Sequence, residues 1–139
     1  MGGITIEPQP SRAAPTHDPA NTLVFVIEDE DAIRRLVQDT LEGEGYRVRA
    51  ARSAEDAIVM LDQASPSLIL LDLRLPGMDG FAFISAYRAR KDGVDVAPII
   101  LMSALRPREV LPEGVVGYLR KPFDLDDLLT HVERAIATY

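Results

Sequence analysis

Three carboxylates, a hydroxyl and an amine stand at equivalent places along this 139-residue chain. Glu28 and Asp29 follow the apolar run 23–27, Asp72 closes 68–71, Ser103 closes 99–102, and Lys121 comes just after 115–119. Carboxylates gathered in one crevice repel each other and raise at least one pKa unless a cation compensates. Mg2+ suits such a set, because it is hard and octahedral and is held by one or two carboxylates with waters and a phosphate oxygen. An ionised aspartate can attack phosphorus and form an acyl phosphate. Phosphoryl transfer asks mainly for positioning and for neutralisation of the equatorial oxygens. A metal, Lys121 and Ser103 supply that. Asp72 is the best nucleophile, since it ends a central apolar strand with a rigid backbone.

Each signal alone has a plainer reading. Glu28 to Asp31 could be a solvated acidic helix start favoured by the macrodipole, Asp72 could open a turn, and serines and lysines abound on surfaces. Only a shared sheet edge gives them joint meaning. In an open parallel α/β sheet the carboxyl ends of the strands meet in one crevice, and that is where these groups fall.

The elements that must place them alternate along the chain. The run 23–27 reads as a strand covered on both faces. It is followed by a helix with Ile33, Leu36, Val37 and Leu41 on one face, stopped by Gly43 and Gly45. Residues 46–50 form a more polar, edge strand. Ser53 caps a helix whose apolar stripe is Ala54, Ala57, Ile58 and Leu61, with Asp56 in the capping-box position. Strand 68–71 leads to the turn-rich segment from Leu75 to Gly80 and a helix carrying Phe83, Ile84 and Tyr87 inward. Strands 99–102 and 115–119 follow, then a helix from an Asp124 cap through Leu125, Leu128, Leu129, Val132 and Ile136. The alternation predicts right-handed crossovers and a doubly wound parallel sheet. One crossover is abnormal. Pro107, Pro112 and Gly114 leave room for at most a turn or two around 108–111, so the fourth helix is expected to be short, irregular or missing.

Composition narrows the field. Residues 1–21 hold Pro8, Pro10, Pro15 and Pro19 among small polar residues and read as a flexible tail, with the domain proper spanning 22–139. The chain has no cysteine, which excludes a disulfide framework and a thiolate site. With 22 acidic against 15 basic residues, the net charge of -7 would repel a phosphate backbone, so direct nucleic-acid binding is not expected. No stretch is long enough to span a bilayer, and no secretory signal opens the chain, so a soluble cytoplasmic protein is expected. His17 and His131 lack a partner pattern and read as surface residues.

At Glu28-Asp29, at the segment from Leu71 to Gly80, at Met102-Ser103-Ala104 and at Lys121-Pro122-Phe123, the chain resembles the response-regulator receiver domain of two-component signalling. The resemblance covers about 23–137. It implies a flavodoxin-like, doubly wound five-stranded parallel sheet of order 2-1-3-4-5. It also implies that Asp72 is the phosphoacceptor and that Asp29, Asp72 and the backbone carbonyl of Arg74 ligate Mg2+. Glu28 would act through metal-bound water. Ser103 and Lys121 would bind phosphoryl oxygens, Tyr118 would turn inward as Ser103 moves, and the Lys121-Pro122 bond would be cis. The donor would be a histidine kinase or a histidine phosphotransfer protein. Arg74 and Leu105 would influence hydrolysis of the phosphoryl group. The chain would assist its own phosphorylation and dephosphorylation without being an enzyme.

With the fourth helix curtailed, the usual dimerisation face is in doubt. A monomer or weak dimer is expected, with the segment 104–114 changing order on phosphorylation. Such a domain could stand alone, could come from a hybrid histidine kinase, or could be a pseudo-receiver that binds partners without phosphate. A haloacid-dehalogenase-type phosphatase would need an aspartate where Arg74 stands. A flavodoxin-like cofactor carrier would have its flavin phosphate repelled by the acidic crevice.

Overall fold

Four strands whose side chains are nearly all apolar, and one edged with arginine, assemble into a single parallel sheet. The computed structural model describes residues 18–91, 95–107 and 110–139. The strands are β1 (Leu23–Ile27), β2 (Arg47–Ala51), β3 (Leu68–Asp72), β4 (Ile99–Ser103) and β5 (Val115–Arg120), in the order β2-β1-β3-β4-β5. Every residue of β3 and β4 is buried, as continuous apolar runs require when both faces are covered. In β2, Arg47 and Arg49 are exposed, and charge of this kind blunts an unpaired edge.

The strand faces alternate between two cores. Phe25, Ile27, Ile69, Leu71, Ile99 and Leu101 pack under α2 (Ala54–Leu61) and α3 (Gly80–Arg90). Val24, Val26, Leu68, Leu70, Ile100 and Met102 pack under α1 (Asp31–Gly43) and α4 (Leu125–Thr138). Helices therefore cover both faces, which is the doubly wound arrangement expected. Ser53, Asp79 and Asp124 each cap the helix that follows, accepting from the N–H three residues on.

Details of the helix faces differ from the sequence pattern. Leu36 is 48% exposed, because Ile33, Val37 and Leu41, spaced by four, form the line that points at the sheet and Leu36 falls about 100° away from it. Leu125 is 38% exposed, since it begins α4. His131 is half-buried rather than a free surface residue: its ring lies 3.5 Å from where a Cβ on Gly117 would stand. Asp18 to Asn21, which the composition assigns to the tail, carry a short 3-10 turn (Pro19–Asn21) in which the Asp18 carboxylate accepts from the Ala20 N–H. Residues 1–17, with His17, lie outside the described residues.

Between β4 and β5 no helix occurs among the described residues, in keeping with the proline pattern; positions 108 and 109 lie outside them. Leu111 from this segment, with Val115 and Tyr118 of β5, packs partly against the α2/α3 core. Arg88 of α3 ties its far end, pairing with Glu113 at 3.3 Å and lying close over Gly114, whose φ of +91° suits glycine. No helix among the described residues is long and apolar enough to cross a membrane.

Candidate functional site

Register brings the reactive groups level. Ile27 pairs with Leu71, Asp72 with Met102, and Ser103 with Arg120, so Glu28, Asp72, Ser103 and Lys121 all emerge at one sheet edge. Glu28 is fully buried and Asp72 is 4% exposed, whereas Asp29 is open to solvent. Oxygens of these three carboxylates lie within 4.8 Å of one another. Lys121 reaches in from beyond β5, its Nζ 2.6 Å from Glu28 Oε1 and 3.2 Å from Asp72 Oδ2. The peptide after it, Lys121-Pro122, is cis.

Backbone donors complete the carboxylates. The Glu30 N–H donates to Glu28 Oε2 at 3.1 Å, and the Arg74 N–H donates to Asp72 Oδ1 at 2.9 Å. Burial pushes the Glu28 carboxyl up to about 7. Its hydrogen bond with Asp72 and the charge of Asp72 add to the rise, while Lys121 and the Glu30 N–H hold it down. Burial draws the Lys121 ammonium down, but its hydrogen bonds and charge interactions with Glu28 and Asp72 outweigh that and leave it above its ordinary value. One ammonium thus serves two carboxylates with a third within 4.8 Å of them, and the excess negative charge is what a divalent cation would relieve. The donor set is all oxygen, as Mg2+ prefers.

A family model described as the response regulator receiver domain matches residues 24–133. The chain belongs to that family. Among its relatives, the DNA-binding transcriptional regulator NtrC of Salmonella typhimurium is 31% identical over 121 residues, covering 84% of this chain and 25% of the relative. This receiver domain therefore spans about a quarter of the length of the curated relatives first matched. Among solved structures, Vibrio cholerae chemotaxis protein CheY4 superposes with a TM-score of 0.71 at 30% identity, covering 82% of this chain and 98% of that one. The Thermotoga maritima response regulator TrrA, solved in complex with Mg2+-BeF, gives 0.72 at 28% identity over the same shares of the two chains.

The two residues expected to switch are joined through Leu105. Ser103 is buried, and its Oγ accepts from the Leu105 N–H at 3.0 Å. Tyr118 Oη donates to the Leu105 carbonyl at 2.7 Å. A depression of about 690 Å³ lies at the opposite edge of the sheet beside Thr22, Pro66 and Pro98, away from all of these groups.

Gly80 is a site residue that the sequence pattern placed in a turn without a role. It opens α3, and its N–H donates to the Leu73 carbonyl at 3.0 Å. A Cβ there would stand 2.9 Å from Leu73 Cα and 3.2 Å from the Asp72 carbonyl oxygen. The helix start thus lies against the backbone that carries Asp72. Gly80→Ala is expected to destabilise the domain by about 1–3 kcal/mol, since backbone must shift to admit the methyl group; urea unfolding measures it. The signal available in the sequence was a glycine directly after a capping aspartate, where other residues make better helix.

Proposed function

We propose that this receiver domain accepts a phosphoryl group on Asp72 from a phosphohistidine of a histidine kinase or phosphotransfer protein, with Mg2+ held at the acidic cluster. The observation that carries the reading is the Lys121 ammonium lying between Glu28 and Asp72 with Asp29 beside them. Asp29 and Asp72 would ligate the ion, with the Arg74 carbonyl and, through water, Glu28. Bound there, Mg2+ supplies charge neutralisation at the phosphoryl oxygens.

The chain's own groups do the rest. An Asp72 carboxylate oxygen bonds to phosphorus as the donor P–N bond breaks, and the electron pair of that bond stays on the imidazole nitrogen. Lys121 meets a phosphoryl oxygen as the charge rearranges. The Ser103 hydroxyl, now accepting from Leu105, donates its own proton to another. That draws on Leu105 and so on the carbonyl held by Tyr118, which gives the phosphorylated state a different surface around exposed Leu105. Attack of water on phosphorus resets the domain. It is a phosphoacceptor that assists its own chemistry, not a turnover enzyme, and Arg74 in place of a second aspartate argues against a phosphatase.

Incubation with a small phosphodonor, followed by intact-mass measurement and borohydride trapping, tests this. One phosphoryl group should appear, mapped to Asp72, and EDTA should slow its appearance about a hundredfold. Equal rates with and without the metal, or a different residue labelled, would refute the reading.

A further inference from the structure

The turn that carries Glu28 and Asp29 is fastened by an arginine with no role in the chemistry above. Arg34, which closes the first turn of α1, donates from Nη1 to the Glu28 carbonyl at 3.0 Å, with the Asp29 carbonyl at 3.4 Å. Its Nη2 meets Asp31 Oδ1 at 2.5 Å. The Arg34 side chain is 12% exposed while that of Asp31 is 67% exposed, so the guanidinium is packed inward and its ion pair faces outward. Among the described residues the Asp29 carboxylate accepts no hydrogen bond, so its direction depends on the backbone that bears it. A planar fork is suited to hold two carbonyls and a carboxylate at once.

We propose that Arg34 is a positioning residue for the divalent cation. It holds the Glu28 and Asp29 carbonyls so that the Asp29 carboxylate faces Asp72 before the ion arrives. This rests on reading the acidic cluster as a cation site. Groups that orient metal ligands from behind typically cost ten- to a hundredfold in affinity when removed. Charge alone predicts the opposite sign. Taking away a cation leaves the cluster more negative and would tighten Mg2+ binding.

Calorimetric titration of the metal-free full chain with Mg2+ separates the two. Arg34→Ala is expected to weaken binding about tenfold. Arg34→Lys keeps the charge but loses the fork, and is expected to weaken binding by several-fold as well. Asp31→Asn removes the exposed pairs of Asp31 with Arg34 and Arg52 but leaves the bonds of Arg34 to the two carbonyls, and should stay within about twofold of wild type. In the metal-free Arg34→Ala protein, amide exchange at 28–30 should rise while protection in β3 and β4 is kept. Unchanged or tighter Mg2+ binding by Arg34→Ala and Arg34→Lys would overturn the inference, as would an Asp31→Asn loss equal to that of Arg34→Ala. Absence of Mg2+ binding by the wild type would remove the cation site itself, and the inference with it.

Discussion

Asp72→Asn is expected to abolish phosphorylation and, in the absence of metal, to make the domain more stable. The first effect follows from chemistry: an amide oxygen is too weak a nucleophile to take the phosphoryl group, and of the other two carboxylates Glu28 is fully buried against Lys121 while Asp29 lies exposed outside the strands. The second follows from electrostatics. Asp72 raises the Glu28 pKa through both a hydrogen bond and its charge, so the two carboxylates are in conflict over a single ammonium. Removing one charge lets Lys121 serve Glu28 alone, and the amide oxygen of the variant side chain can still accept the Arg74 N–H. A gain of about 1 kcal/mol in EDTA is expected, equivalent to relief of roughly one pKa unit. Mg2+ should narrow or reverse it, because the variant has lost a ligand. Urea unfolding with and without Mg2+, beside intact-mass measurement, tests both parts. A variant less stable than wild type in EDTA would show that Lys121 already neutralises the pair.

Much of this arrangement was legible because it depends on local signals that agree. The apolar runs at β1, β3 and β4 are too short for helices and too continuous for half-exposed strands, so they could only be central. Once the strands are parallel and in register, the residue following each run must stand at the same edge. That step places Glu28, Asp72, Ser103 and Lys121 together without knowledge of side-chain geometry. Ser53 and Asp124 gave their helices' starts through capping chemistry. The prolines at 107 and 112 likewise foretold a crossover with no helix among its described residues.

What stayed hidden depends on contacts between residues distant in sequence or on small rotations. Leu36 and Leu125 fit an apolar stripe, yet the packing of α1 on the sheet turns Leu36 toward solvent and the place of Leu125 at the start of α4 leaves it partly open. Nothing in the local sequence shows that the Tyr118 hydroxyl reaches Leu105, or that a methyl group at Gly80 would strike Leu73. Arg34 was invisible for a related reason. An arginine near acidic residues on a helix reads as an ordinary surface ion pair, and only the fold shows it turned inward to backbone carbonyls.

Lys121→Met is the substitution in which binding and chemistry should part company. The ammonium sits 2.6 Å from Glu28 and 3.2 Å from Asp72, and its side chain is 18% exposed, so methionine fills the space but leaves both carboxylates without their cation. Breaking a buried pair commonly costs about 3–5 kcal/mol. Here the loss should be nearer about 2 kcal/mol in EDTA, because Glu28, already pushed up to about 7, takes a proton once the opposing cation is gone. Mg2+ should then bind more tightly than to wild type, since it no longer competes with a fixed positive charge, and should restore most of the lost stability. Phosphorylation is expected to remain slow even in saturating Mg2+, by about a hundred- to a thousandfold, because the group that meets the developing phosphoryl charge is missing. Metal affinity and rate would thus move in opposite directions. A variant phosphorylated at the wild-type rate in Mg2+ would show that Lys121 serves only to keep two buried carboxylates soluble in the fold.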